Sequence, residues 1–309
     1  MLKINSMFLV ISMFTLVGCQ HIGLKENQVP SLVSGVPDAQ EVDQNLKINK
    51  TKNKPVVALV LGSGGARGYA HIGVIEVLEK NNIKPDFIVG TSAGSIVGSL
   101  YASGMSADEL RNVALELKPH DVRDLRLAKQ GFFEGKKVED YINHQVNYKQ
   151  LQELKIPMFV VATELKEGNK TIFNYGNTGQ AVRASVSIPS MFIPAKIGDE
   201  EYVDGGLVSP VPVKIAKDLG ADIVIAVDIL AQPAYTKTSN VWGLFNQNIN
   251  IMQKYLAENE LKYADVVIQP DLREKAHIFD VSGREQTMKS GEEAAMAQMA
   301  EIIKITNKK

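Results

Sequence analysis

The chain alternates between short unbroken apolar runs and longer stretches in which apolar residues recur at helical spacing. Residues 55–61 (PVVALVL), 87–89 (FIV), 156–163 (IPMFVVAT) and 221–230 (ADIVIAVDIL) form the runs. Such continuous apolarity over so few residues predicts strands buried on both faces, as in a parallel sheet with helices on either side. Helical spacing follows in Val74, Ile75, Val77 and Leu78, and again from Gly94 to a closing glycine at Gly104. Ser106 and Glu109 make a capping-box pattern that opens a helix to about Leu117. Further helices are expected over 137–146, over 181–188 up to Pro189, over 212–219 up to Gly220, over 241–263 and from about Ser290. The 241–263 helix is expected to bury its apolar face in the core, with lipid contact as the alternative. Hairpins are expected across Gly168-Asn169 and across Gly198-Asp199, and a last short strand over 265–269. The pattern predicts one α/β domain over residues 55–309, with no internal repeat.

Residues 1–54 read differently. Lys3 precedes an apolar stretch over 7–17 that ends in Gly18 and Cys19. That length suits a signal peptide over 1–18 and falls short of a membrane span. Leu16-Val17-Gly18-Cys19 resembles the bacterial lipobox, which implies lipidation of Cys19, the one cysteine in the chain. Gln20, not being aspartate, leaves the outer membrane open as destination. The expectation is a lipid-anchored protein of the bacterial cell envelope, on the periplasmic face of the outer membrane. Residues 19–54 would be a lipidated N-terminus and a polar, flexible tether.

Composition narrows the partners. Thirty-four basic against 35 acidic residues leave no cationic excess to neutralise phosphates, so no nucleic-acid partner is expected. The five histidines (21, 71, 120, 144 and 277) show no paired spacing for a metal, and neither metal nor cofactor is expected. The sequence names no protein partner.

Three glycine-rich turns carry the candidate chemistry. The first, Gly62-Ser63-Gly64-Gly65-Ala66-Arg67-Gly68, joins an apolar strand to a helix. It lacks the Gly-Lys-Ser/Thr of a phosphate-binding loop, and Arg67 stands where a dinucleotide fingerprint needs its third glycine. Presenting backbone N–H groups to an oxyanion is the remaining use for such a loop. The second, Gly90-Thr91-Ser92-Ala93-Gly94, again lies between strand and helix. It fits both a serine-capped turn and a nucleophile elbow that lifts Ser92 above the sheet. The third, Asp204-Gly205-Gly206, closes a hairpin and, taken alone, reads as an exit turn with a solvated aspartate sooner than as a catalytic acid.

Taken together and in this order, the three turns resemble the patatin-like phospholipase family, in its bacterial and neuropathy-target-esterase-type branch. The likeness covers residues 55–230 and includes Ser-Val-Ser-Ile-Pro-Ser at 185–190; Ser63 departs from the glycine common there. The resemblance implies a three-layer α/β/α patatin-like fold with a mainly parallel central sheet. It also implies a Ser92–Asp204 dyad, with Ser92 as nucleophile and Asp204 as base. The oxyanion hole would be Gly64, Gly65, Ala66 and Arg67, and Gly68, Gly90, Gly94, Gly205 and Gly206 are the motif glycines. The implied activity is hydrolysis of lipid acyl esters through an acyl-enzyme, with membrane lipids as substrate and anchor. A related serine acyltransferase or thioesterase, or a non-catalytic lipid-binding lipoprotein, are the alternatives. An ordinary Ser-Asp-His hydrolase would need His277, the one histidine late enough in the chain.

Overall fold

The computed structural model describes residues 37–42, 46, 48, 54–126, 128, 130–230, 232–235, 238–272 and 283–307. Its strands are β1 (Gln40–Glu41), β2 (Val57–Leu61), β3 (Phe87–Thr91), β4 (Met158–Glu164), β5 (Lys170–Tyr175), β6 (Ala195–Ile197), β7 (Glu200–Asp204), β8 (Ile223–Val227) and β9 (Val266–Ile268). Its helices are α1 (Tyr69–Lys80), α2 (Ala93–Ala102), α3 (Ala107–Glu116), α4 (Pro119–Val122), α5 (Lys136–Gln145), α6 (Thr178–Val186), α7 (Val213–Asp218), α8 (Val241–Leu261) and α9 (Arg284–Thr306). One mixed sheet has the order β1-β5-β4-β3-β2-β8-β9, with β7 on β4 and β6 on β7. Neighbours from β4 through β3, β2 and β8 to β9 are parallel. On β4, both β5 and β7 are antiparallel.

The apolar runs become strands because both faces of the sheet are covered. Val57, Leu59 and Leu61 point into a larger core packed by α1, α2, α3, α5, α6 and α9. Ala58 and Val60 alternate to the other face and a smaller core with α7 and Ala257 of α8. The period of two thus divides one strand between two layers. Every residue of β2, β3 and β8 is buried.

One register relation positions the chemistry. Val161 of β4 pairs with Thr91 at the end of β3, while the next residue, Ala162, pairs with Asp204 at the end of β7. The two strands therefore meet end to end along one edge of β4. The residues that follow them are brought together although they lie more than a hundred positions apart in sequence.

Several elements differ from expectation. Gln40–Glu41, within the stretch expected to be a tether, pairs with β5, and the Val42 N–H donates to the Ile172 carbonyl at 2.7 Å. An edge strand's open hydrogen-bonding groups recruit an extended segment in this way. Helix α6 begins at Thr178, earlier than periodicity suggests, because the Asn177 side chain accepts from the Gln180 N–H and caps it. Helix α9 starts at Arg284, whose guanidinium donates to the carbonyls of Ala114, Leu115 and Leu117 at the C-terminal end of α3. The outer stripe of α8 is exposed and not core: Val241 is 88% accessible and Tyr255 63%. Its opposite side carries Ala257 and Glu260, both buried.

Candidate active site

Ser92 is the single residue between the last position of β3 and the first of α2. So short a crossing forces it to φ 53° and ψ −119°, a conformation rare for any residue with a Cβ. The strain is held by its neighbours. The Ser92 N–H donates to Ser185 Oγ at 2.8 Å, and Ser185 Oγ donates in turn to the Val161 carbonyl at 2.6 Å. Ser95 Oγ donates to the Ser92 carbonyl at 2.7 Å. Gly94 is required by close approach, since a Cβ there would lie 2.0 Å from the Leu61 carbonyl oxygen. Gly90 lies in β3, one residue before Thr91.

Asp204 ends β7 with its side chain buried beside Ser92. Ser92 Oγ donates to Asp204 Oδ2 at 2.5 Å, and the Gly206 N–H donates to Asp204 Oδ1 at 2.7 Å. The backbone of Asp204 is fixed on both sides. Its N–H donates to the Ser187 carbonyl at 2.9 Å, and Thr163 Oγ1 donates to the Asp204 carbonyl at 2.9 Å. Burial raises its pKa to about 6, and the hydrogen bonds from Ser92 and Gly206 hold it back from rising further. A hydroxyl hydrogen-bonded to a carboxyl of that pKa can lose its proton as it attacks, near neutral pH. Gly205 opens a short 3₁₀ turn (Gly205–Leu207) that follows the strand.

The first turn folds as a 3₁₀ segment, Gly65–Gly68, running into α1. Gly64 precedes it without any capping side chain, and Gly65 stands at φ 58°. The leading N–H groups of such a turn have no partner inside it. Gly65 and Ala66 both border the cavity that Ser92 borders. Arg67 differs from these two: its N–H closes the turn on the Gly64 carbonyl at 3.2 Å. Its buried side chain donates from Nε to the Ile229 carbonyl at 2.8 Å. Burial lowers the Arg67 pKa to about 10 while the charge of Asp228 opposes the fall, so the guanidinium stays protonated and ties the loop to the end of β8. His71 Nε2 donates to the Gly62 carbonyl at 2.9 Å and braces the same loop from α1. Its complete burial lowers its pKa to about 4, against a hydrogen bond to Gly62 that raises it, and keeps the ring neutral.

Beside Ser92 an apolar cavity of about 230 Å³ runs between α1, α2, α3 and α5, lined by Ile72, Ile96, Leu100, Leu110, Ile142 and Phe192 among others. A second and smaller space of about 40 Å³ lies on the Asp204 side, under α8.

These placements accord with what the chain is related to. Residues 59–217 match the profile of the family described as Patatin-like phospholipase. The chain belongs to the patatin-like phospholipase family. Among curated relatives of this family, the human patatin-like phospholipase domain-containing protein 6 is 32% identical over 234 residues, covering 71% of this chain and 16% of that protein. An uncharacterized NTE family protein of Mycobacterium tuberculosis is 36% identical over 180 residues, covering 57% of this chain. The chain thus spans about half the length of these mycobacterial relatives (50%) and less of the human one. Among solved structures, VipD from Legionella pneumophila shares the fold with a TM-score of 0.58 over 85% of this chain and 71% of that one, at 14% identity. The patatin-like α/β architecture with its mainly parallel sheet follows from both the match and the observed topology.

The structure brings together Ser92, Asp204, Gly64, Gly65, Ala66, Arg67, Gly68, Gly90, Gly94, Gly205 and Gly206. Cys19 and His277 lie outside the described residues. Among the described residues no group of three or more His, Cys, Asp or Glu is placed to hold a metal, and no helix is long and apolar enough to cross a membrane. Sequence reasoning missed Ser185 as a brace of the Ser92 turn and α8 as a wall of the site. In the sequence the Ser185–Ser190 block stands out by resemblance alone, and α8 carries no motif.

Proposed function

We propose that the protein is a serine lipid acyl hydrolase of phospholipase A or lysophospholipase type, acting through a Ser92–Asp204 dyad. Family membership supports lipid acyl hydrolysis in general. The observation that carries the finer reading is the 2.5 Å hydrogen bond from Ser92 Oγ to Asp204 Oδ2 at the mouth of an apolar cavity.

In this reading the acyl chain enters the cavity between α2 and α5. Ser92 Oγ attacks the ester carbonyl as its proton passes to Asp204 Oδ2. The oxyanion that forms is met by N–H groups of Gly65 and Ala66, with Gly64 giving the turn room and Arg67 anchoring it. Collapse expels the alcohol, which takes the proton from Asp204, and leaves an acyl-enzyme on Ser92. Water then enters and attacks the acyl carbonyl as its proton passes to Asp204, which returns it to Ser92 Oγ as the fatty acid leaves. A second histidine-dependent relay is unnecessary, because the carboxylate reaches the hydroxyl directly. Lipidation of Cys19 would hold the domain at its substrate; Cys19→Ser should then give a soluble or an unprocessed protein, and recovery in the membrane fraction at wild-type mass would overturn the anchor.

The test is fatty-acid release from mixed phospholipid and lysophospholipid vesicles by the purified protein. Release by wild type and none by folded Ser92→Ala is the expected result. Absence of release from every lipid tested, or undiminished release by Ser92→Ala, would overturn the proposal.

A further inference from the structure

The apolar cavity beside Ser92 has a floor. It is lined from the Ser92 end inward by one face each of α1, α2, α3 and α5, and its deepest residues on these helices are Ile72, Leu100, Leu110 and Ile142. One turn deeper, Ile75, Ser103, Ala107 and Val146 are buried and border no part of it. The four helices therefore stop lining the cavity at one level. Hydrogen bonds hold their ends together there. The Ala107 N–H donates to Glu79 Oε2 at 2.9 Å, joining the start of α3 to the end of α1. Lys149 Nζ donates to the Ser103 carbonyl at 3.3 Å, joining the chain after α5 to the end of α2.

Helix α2 sets the depth of that floor, because Ser92 is its N-cap. From Ser92 to Leu100 the helix advances about 12 Å at about 1.5 Å per residue. A saturated chain in zigzag, with bonds of about 1.5 Å, extends by about 1.25 Å per carbon, so about eight to ten carbons run from the acyl carbonyl to Leu100. We propose that Leu100, Leu110 and Ile142 measure the acyl chain, so that the protein prefers esters of medium-chain acids of about eight to ten carbons. This rests on the hydrolase reading above. Each methylene that enters the cavity leaves water for apolar walls and should raise kcat/KM about fourfold. A methylene beyond the floor meets close-packed side chains and gains nothing.

The experiment uses the full-length protein and p-nitrophenyl esters of saturated acids from butanoyl to hexadecanoyl, in one fixed detergent mixture. The readout is kcat/KM against acyl length. Wild type should rise about fourfold per methylene to octanoyl or decanoyl, then level off or fall by dodecanoyl. Leu110→Ala opens the floor and should move the maximum to dodecanoyl. Val113→Phe, one turn above the floor on a half-buried position, should move it to hexanoyl. Leu115→Ala, on the exposed side of α3, should leave the profile unchanged. If Leu110→Ala fails to fold by circular dichroism, Val113→Phe decides alone. A rise that continues to hexadecanoyl in wild type, or one profile shared by wild type and Val113→Phe, would overturn the ruler.

Should wild type cleave none of the esters, calorimetric titration of the corresponding fatty acids into wild type and Val113→Phe separates the two claims. Affinity that grows with length up to decanoate in wild type, and only up to hexanoate in the variant, would keep the ruler and reject the hydrolase. Absence of binding, or binding without a length limit, would reject the ruler as well. Cleavage of every ester at rates indifferent to acyl length would keep the hydrolase and reject the ruler.

Discussion

Two strand-to-helix turns stand at the carboxyl ends of neighbouring parallel strands, one after β2 and one after β3, and their difference lies in length. The turn after β3 has one residue, so the chain must reverse through Ser92 at φ 53°. A turn that tight exposes a side chain. The turn after β2 runs from Gly62 to Gly68 and includes a 3₁₀ segment, long enough to leave leading N–H groups unpaired. A turn of that length exposes backbone. Their braces differ accordingly. Ser185 and Ser95 fix the backbone of Ser92, whereas His71 and Arg67 hold the carbonyl and the far end of the longer loop. The same topological place in an α/β sheet thus presents a side chain or a row of backbone N–H groups, which the proposed mechanism uses as nucleophile and oxyanion cradle, depending on how many residues cross it.

The division can be broken at either turn. Ser92→Ala removes the one side chain that the short turn presents, and Asp204→Asn removes its proton acceptor; each should lower kcat by about 10⁴-fold or more in a fatty-acid release assay. Gly65→Val acts on the longer turn, where φ 58° disfavours a β-branched residue. Displacing oxyanion donors should lower kcat by roughly 100-fold with unchanged circular dichroism.

Proton bookkeeping sharpens the picture. In the proposed dyad the base works as a carboxylate, and the Asp204 pKa is about 6, so kcat/KM should fall about tenfold per unit below that pH and level off above it. The same group should cost stability. Its pKa rises from 3.8 to about 6 on folding, so between those values the folded state keeps a proton that the unfolded state releases. Folding stability therefore falls as pH rises through the window and stays lower above it. Asp204→Asn should relieve this, gaining on the order of 2 kcal/mol over wild type at pH 8 relative to pH 4 in urea unfolding. An equal difference at both pH values would show that the carboxyl is not strained by burial.

Much of this site was legible because tight turns impose residue types. Gly94 has no room for a Cβ against Leu61, and Gly65 requires a positive φ, so both leave a mark in sequence. The strands were legible because burial on both faces makes β2 and β8 almost uniformly apolar. The meeting of Ser92 with Asp204 was suggested by resemblance and not by periodicity. It depends on β3 and β7 abutting along β4 at Val161 and Ala162, a register that no local pattern encodes. Helix α8 was illegible for a different reason. Its inner side mixes Phe245, Ile249, Ala257 and Leu261 with Asn246, Asn250, Gln253 and Glu260, while Val241, Leu244 and Met252 are exposed, so apolar residues stand on both sides and no single stripe marks the buried one. Arg67 looked like part of an oxyanion hole, yet its N–H and Nε both serve to hold the loop.

The central claim is that Asp204 alone activates Ser92. It is tested most directly by the rate at which a fluorophosphonate labels the protein, with the modified residue located by mass spectrometry. Wild type and His277→Ala should label on Ser92 at rates within a few-fold of each other, and folded Asp204→Asn should label at least a thousandfold more slowly, on the scale of losing a catalytic base. Wild-type labelling by Asp204→Asn, or loss of labelling in a folded His277→Ala protein, would contradict the dyad.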